Sequence, residues 1–168
     1  IRKKFGEAYR TSLEKKVRKL GIEDNVRFVN RYLEKEEIAR WLKLSDIYMT
    51  PYLGRDQAVS GTLAYAVGYG RAIVSTPYLY AKEMLSGGRG LLADFEDAAS
   101  LGSCINFLIE HPEERRKMEE KALQLGKTMT WDAVADRYIE TFYQALHDFR
   151  EKNGEDHEDE EYQRQAAE

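Results

Sequence analysis

The sequence has little cysteine, no long apolar run and no excess of basic charge, and each shortage closes off a class of protein. Cys104 is the only cysteine in 168 residues, so an intrachain disulfide and a cysteine-built metal cluster are excluded. Its setting, SCINFLIE, is mostly apolar and reads as that of a buried small hydrophobe, which fits an intracellular, cytoplasmic protein. No stretch approaches the roughly 18 consecutive apolar residues of a membrane span. The chain opens on Ile-Arg-Lys-Lys, with neither an initiator methionine nor the apolar core of a signal peptide, and is expected to be a fragment of something longer. The formal net charge is -4, and acids crowd between Glu151 and Glu161. No overall basic field argues for nucleic acid or an anionic membrane, so any anionic ligand must be held locally. The histidines His111, His147 and His157 share no metal-binding spacing, and Glu155, Asp156, Glu158 and Asp159 lack the glycine and spacing of a calcium loop.

What is present is the composition of a folded domain. With 42% hydrophobic and 33% charged residues, the chain can build one core under a wet surface. Tyr9, Leu13, Val17 and Leu20 lie at helical spacing and predict an amphipathic helix over 6–20, ended by Gly21. A short strand is expected at Val26–Val29, then a helix from Lys35 to Leu44 with Ile38, Trp41 and Leu42 inward. Asp46 to Thr50 reads as a buried strand stopped by Pro51. A helix from Ser60 to about Gly68, a buried strand Ala72–Ser75, a short helix near Tyr80–Leu85 and a strand Gly90–Ala93 follow. Helices are then expected over 96–109, from Pro112 to about Met129, and from Trp131 to about Arg150. The last of these carries Val134, Tyr138, Phe142 and Leu146 on one face. Strands alternating with helices imply parallel crossovers, hence an α/β fold: a Rossmann-like parallel sheet flanked by helices. The expected organisation is a partial Rossmann-like domain over 1–150 and a charged extension or tail over 151–168.

The stretch DQAVSGTLAYAVGYGRAIVSTP, residues 56–77, places a small-residue turn at the mouth of a helix that follows a strand. In open parallel sheets, ligands sit beyond the carboxyl ends of the strands. The backbone N–H groups of Ser60, Gly61 and Thr62 would be uncapped donors at the positive end of the helix dipole, a place that suits a phosphate. Gly61 lets a group approach without a Cβ, and the Ser60 and Thr62 hydroxyls can each add a hydrogen bond. The same residues also admit a plainer account, in which Ser60 caps the helix and Gly61 relieves crowding. Arg55 has the planar fork that fits a phosphate oxygen pair, or is a solvated loop arginine. Arg71 reads as an exposed turn residue. Tyr48, Tyr52, Tyr78 and Tyr80 flank strand ends, where they pack or line a ligand site.

The order of these pieces from about Asn25 to Tyr143 resembles the C-terminal, nucleotide-sugar-binding half of family 4 retaining glycosyltransferases (glycosyl transferases group 1), which have the GT-B arrangement. NVRFVNRYLEKEEIARWLKLSDIYMTPY is similar to the segment before the donor loop, and AVGYGRAIVSTP to the helix end, turn and strand after it. YAKEMLSGGRGLLADFEDAASL resembles the glutamate, glycine turn and short strand, and MTWDAVADRYIETF the opening of the closing helix. The resemblance implies that Tyr52, Gln57, Ser60, Gly61, Thr62, Tyr65 and Glu83 face the donor, with Glu83 otherwise a surface helix residue. It also implies a departure. The family usually carries a pair of glutamates across this turn, and Gln57 and Tyr65 stand at the matching positions. Both keep a hydrogen-bonding group without the charge, and Asp56 is the adjacent carboxylate that can stand in.

The expected function is donor binding for transfer of a sugar from a nucleotide diphosphate sugar to an acceptor hydroxyl with retention. The alternatives are a non-catalytic nucleotide-binding or interaction module of the same fold, and an unrelated flavodoxin-like binding domain. The co-substrate is the nucleotide sugar, with no metal and no other cofactor expected. Expected partners are an acceptor sugar or glycan and an N-terminal domain of the same protein, with no nucleic acid. The family's basic pair and acceptor groups are not matched within the chain, so the chain alone is expected to be catalytically silent, and catalytic residues stay unassigned. About four parallel strands are expected, with an exposed edge that favours self-association.

Overall fold

Leu13 and Val17, one turn apart, give the N-terminal segment its half-buried stripe, and a glycine in the left-handed region stops it. The computed structural model describes residues 7–153, and the chain divides into two units, residues 1–34 and 35–168. In the first, helix α1 spans Ala8–Leu20 and ends at Gly21, whose φ of 65° suits a residue without a Cβ. Tyr9 and Leu20, expected on the inner face, are exposed at 75% and 60%. A 3-10 turn, Glu23–Asn25, follows. The expected strand at Val26–Val29 is not formed. Val26 is extended, with φ -119° and ψ 121°, and burial alternates along the four residues, but no ladder is made among the described residues, and a strand exists only through its partner.

The second unit is built around a short strand with no exposed face. Helix α2 spans Lys35–Leu44 and buries Leu42. Trp41, expected inward, is 39% exposed. The helix leads into strand β1, Ile47–Thr50. After helix α3, Gly61–Gly68, strand β2 runs Ala72–Ser75 with all four residues buried. Helix α4 is Leu79–Met84, and strand β3 is the pair Leu91–Leu92. Helices α5 (Ala98–Glu110), α6 (Pro112–Lys127) and α7 (Trp131–Asn153) complete the described chain. The sheet has three parallel strands in the order β1-β2-β3, not four, because the Val26–Val29 segment does not join it.

The register sets Thr50 beside Ser75 and Ser75 beside Leu92, so all three strands end on one edge. Alternation along β2 divides the core. Ile73 faces Leu63, Ala66 and Val67 of α3 and Tyr78 and Ala81 at α4. Ala72 and Val74 face Ala93 and Leu108 of α5 on the other side. Burial of each large apolar side chain contributes about 1.5–3 kcal/mol. Helix α6 adds Ala122 to the first cluster and Met118 to the second. It crosses α3 backbone to backbone, since a Cβ on Gly126 would lie 2.7 Å from the Gly68 Cα.

Several other expectations shift. Strand β1 is an edge rather than a buried strand, with Met49 43% exposed. Cys104 is half-buried against the second cluster, and burial pushes its thiol up, as does Asp94 to a lesser extent. Arg71 is half-buried, donating from Nε to the Tyr69 carbonyl at 3.1 Å and from Nη1 to the Ser45 carbonyl at 3.2 Å. Helix α7 runs past Arg150 to Asn153. Of its expected inner face, Val134 is half-buried, whereas Tyr138, Phe142 and Leu146 are exposed. The acidic cluster Glu155 to Asp159, His157 and the tail from 154 lie outside the described residues. No helix among the described residues is long and apolar enough to cross a membrane.

Candidate functional site

Parallel pairing brings three chain exits together at the carboxyl edge: the loop after β1, the turn after β2 and the loop after β3. Thr50 and Ser75 end their strands buried, and their polar atoms are bonded to each other's neighbourhood. Thr50 Oγ1 shares a hydrogen bond with the Tyr78 hydroxyl at 3.0 Å, and Ser75 Oγ donates to the Thr50 carbonyl at 3.1 Å. The Thr76 hydroxyl donates to the Tyr52 carbonyl, tying down the first residue after Pro51. Tyr78 is fully buried, and the Tyr52 ring lies 5.4 Å from it, tilted by 39°. This floor is satisfied internally, as buried polar groups must be.

Above it runs the loop from Pro51 to Val59, fixed at its middle by main-chain bonds from the start of α4. The Leu79 N–H donates to the Arg55 carbonyl at 3.0 Å, and the Tyr80 N–H to the Gln57 carbonyl at 3.1 Å. Gln57 is also engaged within the loop, its Nε2 donating to the Val59 carbonyl at 3.0 Å. The loop enters α3 through Ser60, extended at φ -147° and ψ 103°, whose Oγ accepts from the Leu63 N–H at 3.3 Å. Ser60 is 7% exposed, so its hydroxyl serves the helix cap. Gly61 is different. It is exposed, its φ is outside the positive range, and a Cβ built on it would meet nothing within 4 Å. Neither backbone conformation nor crowding within the chain requires glycine there. Its N–H and that of Thr62 belong to the first turn, which has no intrahelical acceptors.

Thr62 is half-buried, and its side chain neighbours the Tyr48 phenol. Burial raises the Tyr48 phenol above its ordinary value, the neighbouring Thr62 hydroxyl offsets part of this, and Tyr52 and Tyr78 add to the rise. Tyr65 lies one turn further along α3, 41% exposed. Glu83 is exposed on the last turn of α4. It helps burial push the Tyr80 phenol up, yet no hydrogen bond, ion pair or ring contact among the described residues joins it to Ser60, Gly61 or Thr62. Tyr52 and Gln57 thus lie in the loop that leads into α3, Ser60, Gly61 and Thr62 at the start of that helix, Tyr65 one turn along it and Glu83 on the last turn of α4.

Two contributors were not singled out from the sequence. Phe95, after β3, receives the Arg55 guanidinium on its ring at 4.2 Å. Glu96 beside it is the one non-glycine residue at positive φ, 60°, among the described residues. The small polar residues in VSTP, at the end of an apolar run, were the available signal for the buried floor. Of the histidines, His111 stacks on Phe107 at 4.5 Å and holds its carbonyl at 3.0 Å. His147 stands exposed with Asp148 and Glu151 on α7, away from the strand ends.

Three parallel strands, helices on both faces and a glycine-bearing helix mouth at their carboxyl ends define a Rossmann-like α/β domain. The chain belongs to the family Glycosyl transferases group 1, whose model matches residues 5–111. It is 25% identical to a D-inositol 3-phosphate glycosyltransferase of Thermomonospora curvata, over 82% of this chain and 31% of that one. A second D-inositol 3-phosphate glycosyltransferase, from Catenulispora acidiphila, is 24% identical over 86% of this chain and 34% of its own. The chain thus spans about a third of the length of these relatives. Among solved structures, Anabaena HepE in complex with UDP-glucose matches with a TM-score of 0.69 at 21% identity, over 83% of this chain and 38% of that one. The C-terminal domain of the group 1 family protein LpcC from Francisella tularensis matches with a TM-score of 0.64 at 19% identity, over 73% and 62%. These likenesses show the fold.

Proposed function

We propose that this chain is the donor-binding domain of a retaining glycosyltransferase, taking a nucleotide diphosphate sugar whose sugar passes to an acceptor hydroxyl. The observation that carries the reading is the first turn of α3: free N–H groups, open space over Gly61 and a dipole pointing at the carboxyl edge of the sheet. A departing diphosphate gathers charge there, where oriented donors stabilise it without reorganising. Membership of the family and a fold neighbour solved with UDP-glucose support the same substrate class. The remaining machinery, an acceptor site and further cations, lies in this reading outside these 168 residues, so the purified chain binds the donor but transfers nothing. A second reading, binding without transfer, is favoured by one feature. Gln57 and Tyr65 carry no charge where the family resemblance implies carboxylates, and the Gln57 amide is already bonded to Val59.

Titration of the chain with UDP, GDP and ADP, followed by amide NMR, tests the proposal. Shifts centred on Ser60, Gly61 and Thr62 with one nucleotide support it and name the base. Shifts confined to other surfaces would refute it. Sugar transfer by a longer protein carrying this domain separates the catalytic from the binding-only reading.

A further inference from the structure

Arg55 stands in the loop that leads into α3, and its guanidinium rests on the Phe95 ring at 4.2 Å. An aromatic ring attracts the cation without taking a hydrogen bond from it, so the N–H donors of the guanidinium are not consumed by this contact. Two other arginines of this unit spend those donors within the chain. Arg71 holds the Tyr69 and Ser45 carbonyls, and Arg89 holds the Met84 and Glu83 carbonyls. No carboxylate or carbonyl among the described residues takes a hydrogen bond from the Arg55 side chain. Its own main chain is nevertheless fixed, because its carbonyl accepts from the Leu79 N–H at 3.0 Å. A cation is therefore mounted on an aromatic face, backed by a pinned backbone, at the edge where α3 presents its free N–H groups. The platform residue precedes Glu96, whose φ of 60° is held in a region that side chains of its type seldom adopt.

We propose that Arg55, held by Phe95, is the positioning cation of this site: its guanidinium edge takes the phosphate oxygens of the bound nucleoside diphosphate while the first turn of α3 takes them from the other side. The inference rests on the donor-site reading above and adds to it the residue that supplies positive charge from within this chain. Arg55 touches phosphate and not base, so its contribution is the same for any nucleoside diphosphate. It is also electrostatic, so added salt weakens it.

The test is calorimetric titration of the chain and of Arg55→Gln and Arg55→Lys with UDP, GDP and ADP, each beside its nucleoside. In Arg55→Gln, affinity for the diphosphate that binds falls by at least about tenfold, the scale of hydrogen bonds to a charged group, while nucleoside affinity holds. Arg55→Lys recovers part of the loss, and the salt dependence of diphosphate binding flattens in the glutamine variant. Equal weakening of diphosphate and nucleoside would mean that Arg55 only anchors the loop, and would overturn the proposal. Unchanged diphosphate binding in a folded Arg55→Gln would overturn it too, leaving the donor-site reading intact. Failure of the unaltered chain to bind any of the diphosphates would overturn both.

Discussion

Replacing Gly61 with leucine separates the needs of the fold from the needs of the ligand. A Cβ at this position meets nothing within 4 Å, and the backbone is outside the positive-φ range, so the larger side chain strains nothing in the chain. Glycine is the costlier residue in a helix by up to about 1 kcal/mol, less in a first turn, so the variant should be as stable as the parent or slightly more so. For a chain of this size 1 kcal/mol corresponds to about 2–4 °C in melting temperature, and the expected change lies between zero and a rise of that order. Binding behaves oppositely. The leucine side chain covers the N–H groups of the first α3 turn, and each hydrogen bond to a charged group contributes about 1.5–3 kcal/mol. Loss of one such bond weakens nucleoside diphosphate binding by at least about tenfold, and loss of two by about a hundredfold or more. Differential scanning calorimetry reads the first quantity and isothermal titration with UDP, GDP and ADP reads the second. A melting temperature lowered by several degrees would show that the glycine serves the fold. Undiminished binding in Gly61→Leu would show that the helix mouth does not hold phosphate.

Three further outcomes follow from the packing and the ionisable groups. Tyr78→Phe removes the hydrogen bond to buried Thr50 Oγ1 and should cost about 1–3 kcal/mol in chemical denaturation, because the hydroxyl left behind loses its partner. Gly126→Ala sets a methyl group 2.7 Å from the Gly68 Cα and 3.0 Å from the Val67 carbonyl; the helices must part, and a loss of about 1–3 kcal/mol is expected in the same assay. The Tyr48 phenol is raised by burial in the folded chain. The folded state thus holds its proton more tightly than the unfolded one, and stability present below the ordinary phenol value of 10.0 is lost as pH rises through the folded value. Tyr48→Phe should make the alkaline fall in melting temperature shallower; an unchanged profile would assign that fall to other groups.

Sequence reasoning succeeded where the controlling information is local. Helix α2 and strand β2 take the expected bounds, Lys35–Leu44 and Ala72–Ser75, because a run of helix formers and a short apolar, β-branched run are recognisable from their own residues. The left-handed Gly21 and the Ser60 cap are local in the same sense. Val26–Val29 has the alternation of a strand but makes no ladder, and no pattern within four residues reveals whether a neighbour will pair with them. Trp41, Tyr138 and Phe142 sit at helical spacing and stay exposed, since periodicity marks a face without saying what covers it. At the site, the mouth of α3 could be read from SGT following a strand, but the Thr50 to Tyr78 bond joins residues 28 apart. The seating of Arg55 on Phe95 is likewise a product of three strands ending on one edge.

The loop over the strand ends takes its path from carbonyl and amide groups, through Leu79 to Arg55 and Tyr80 to Gln57. Such bonds do not depend on which side chains the loop residues carry. The loop is therefore a socket whose inserts are exchangeable: substitutions at Arg55 or Asp56 alter the chemistry it presents without rerouting the chain. A socket of this kind lets ligand preference drift during evolution one residue at a time. It also marks these positions as the first to randomise when a different donor is sought.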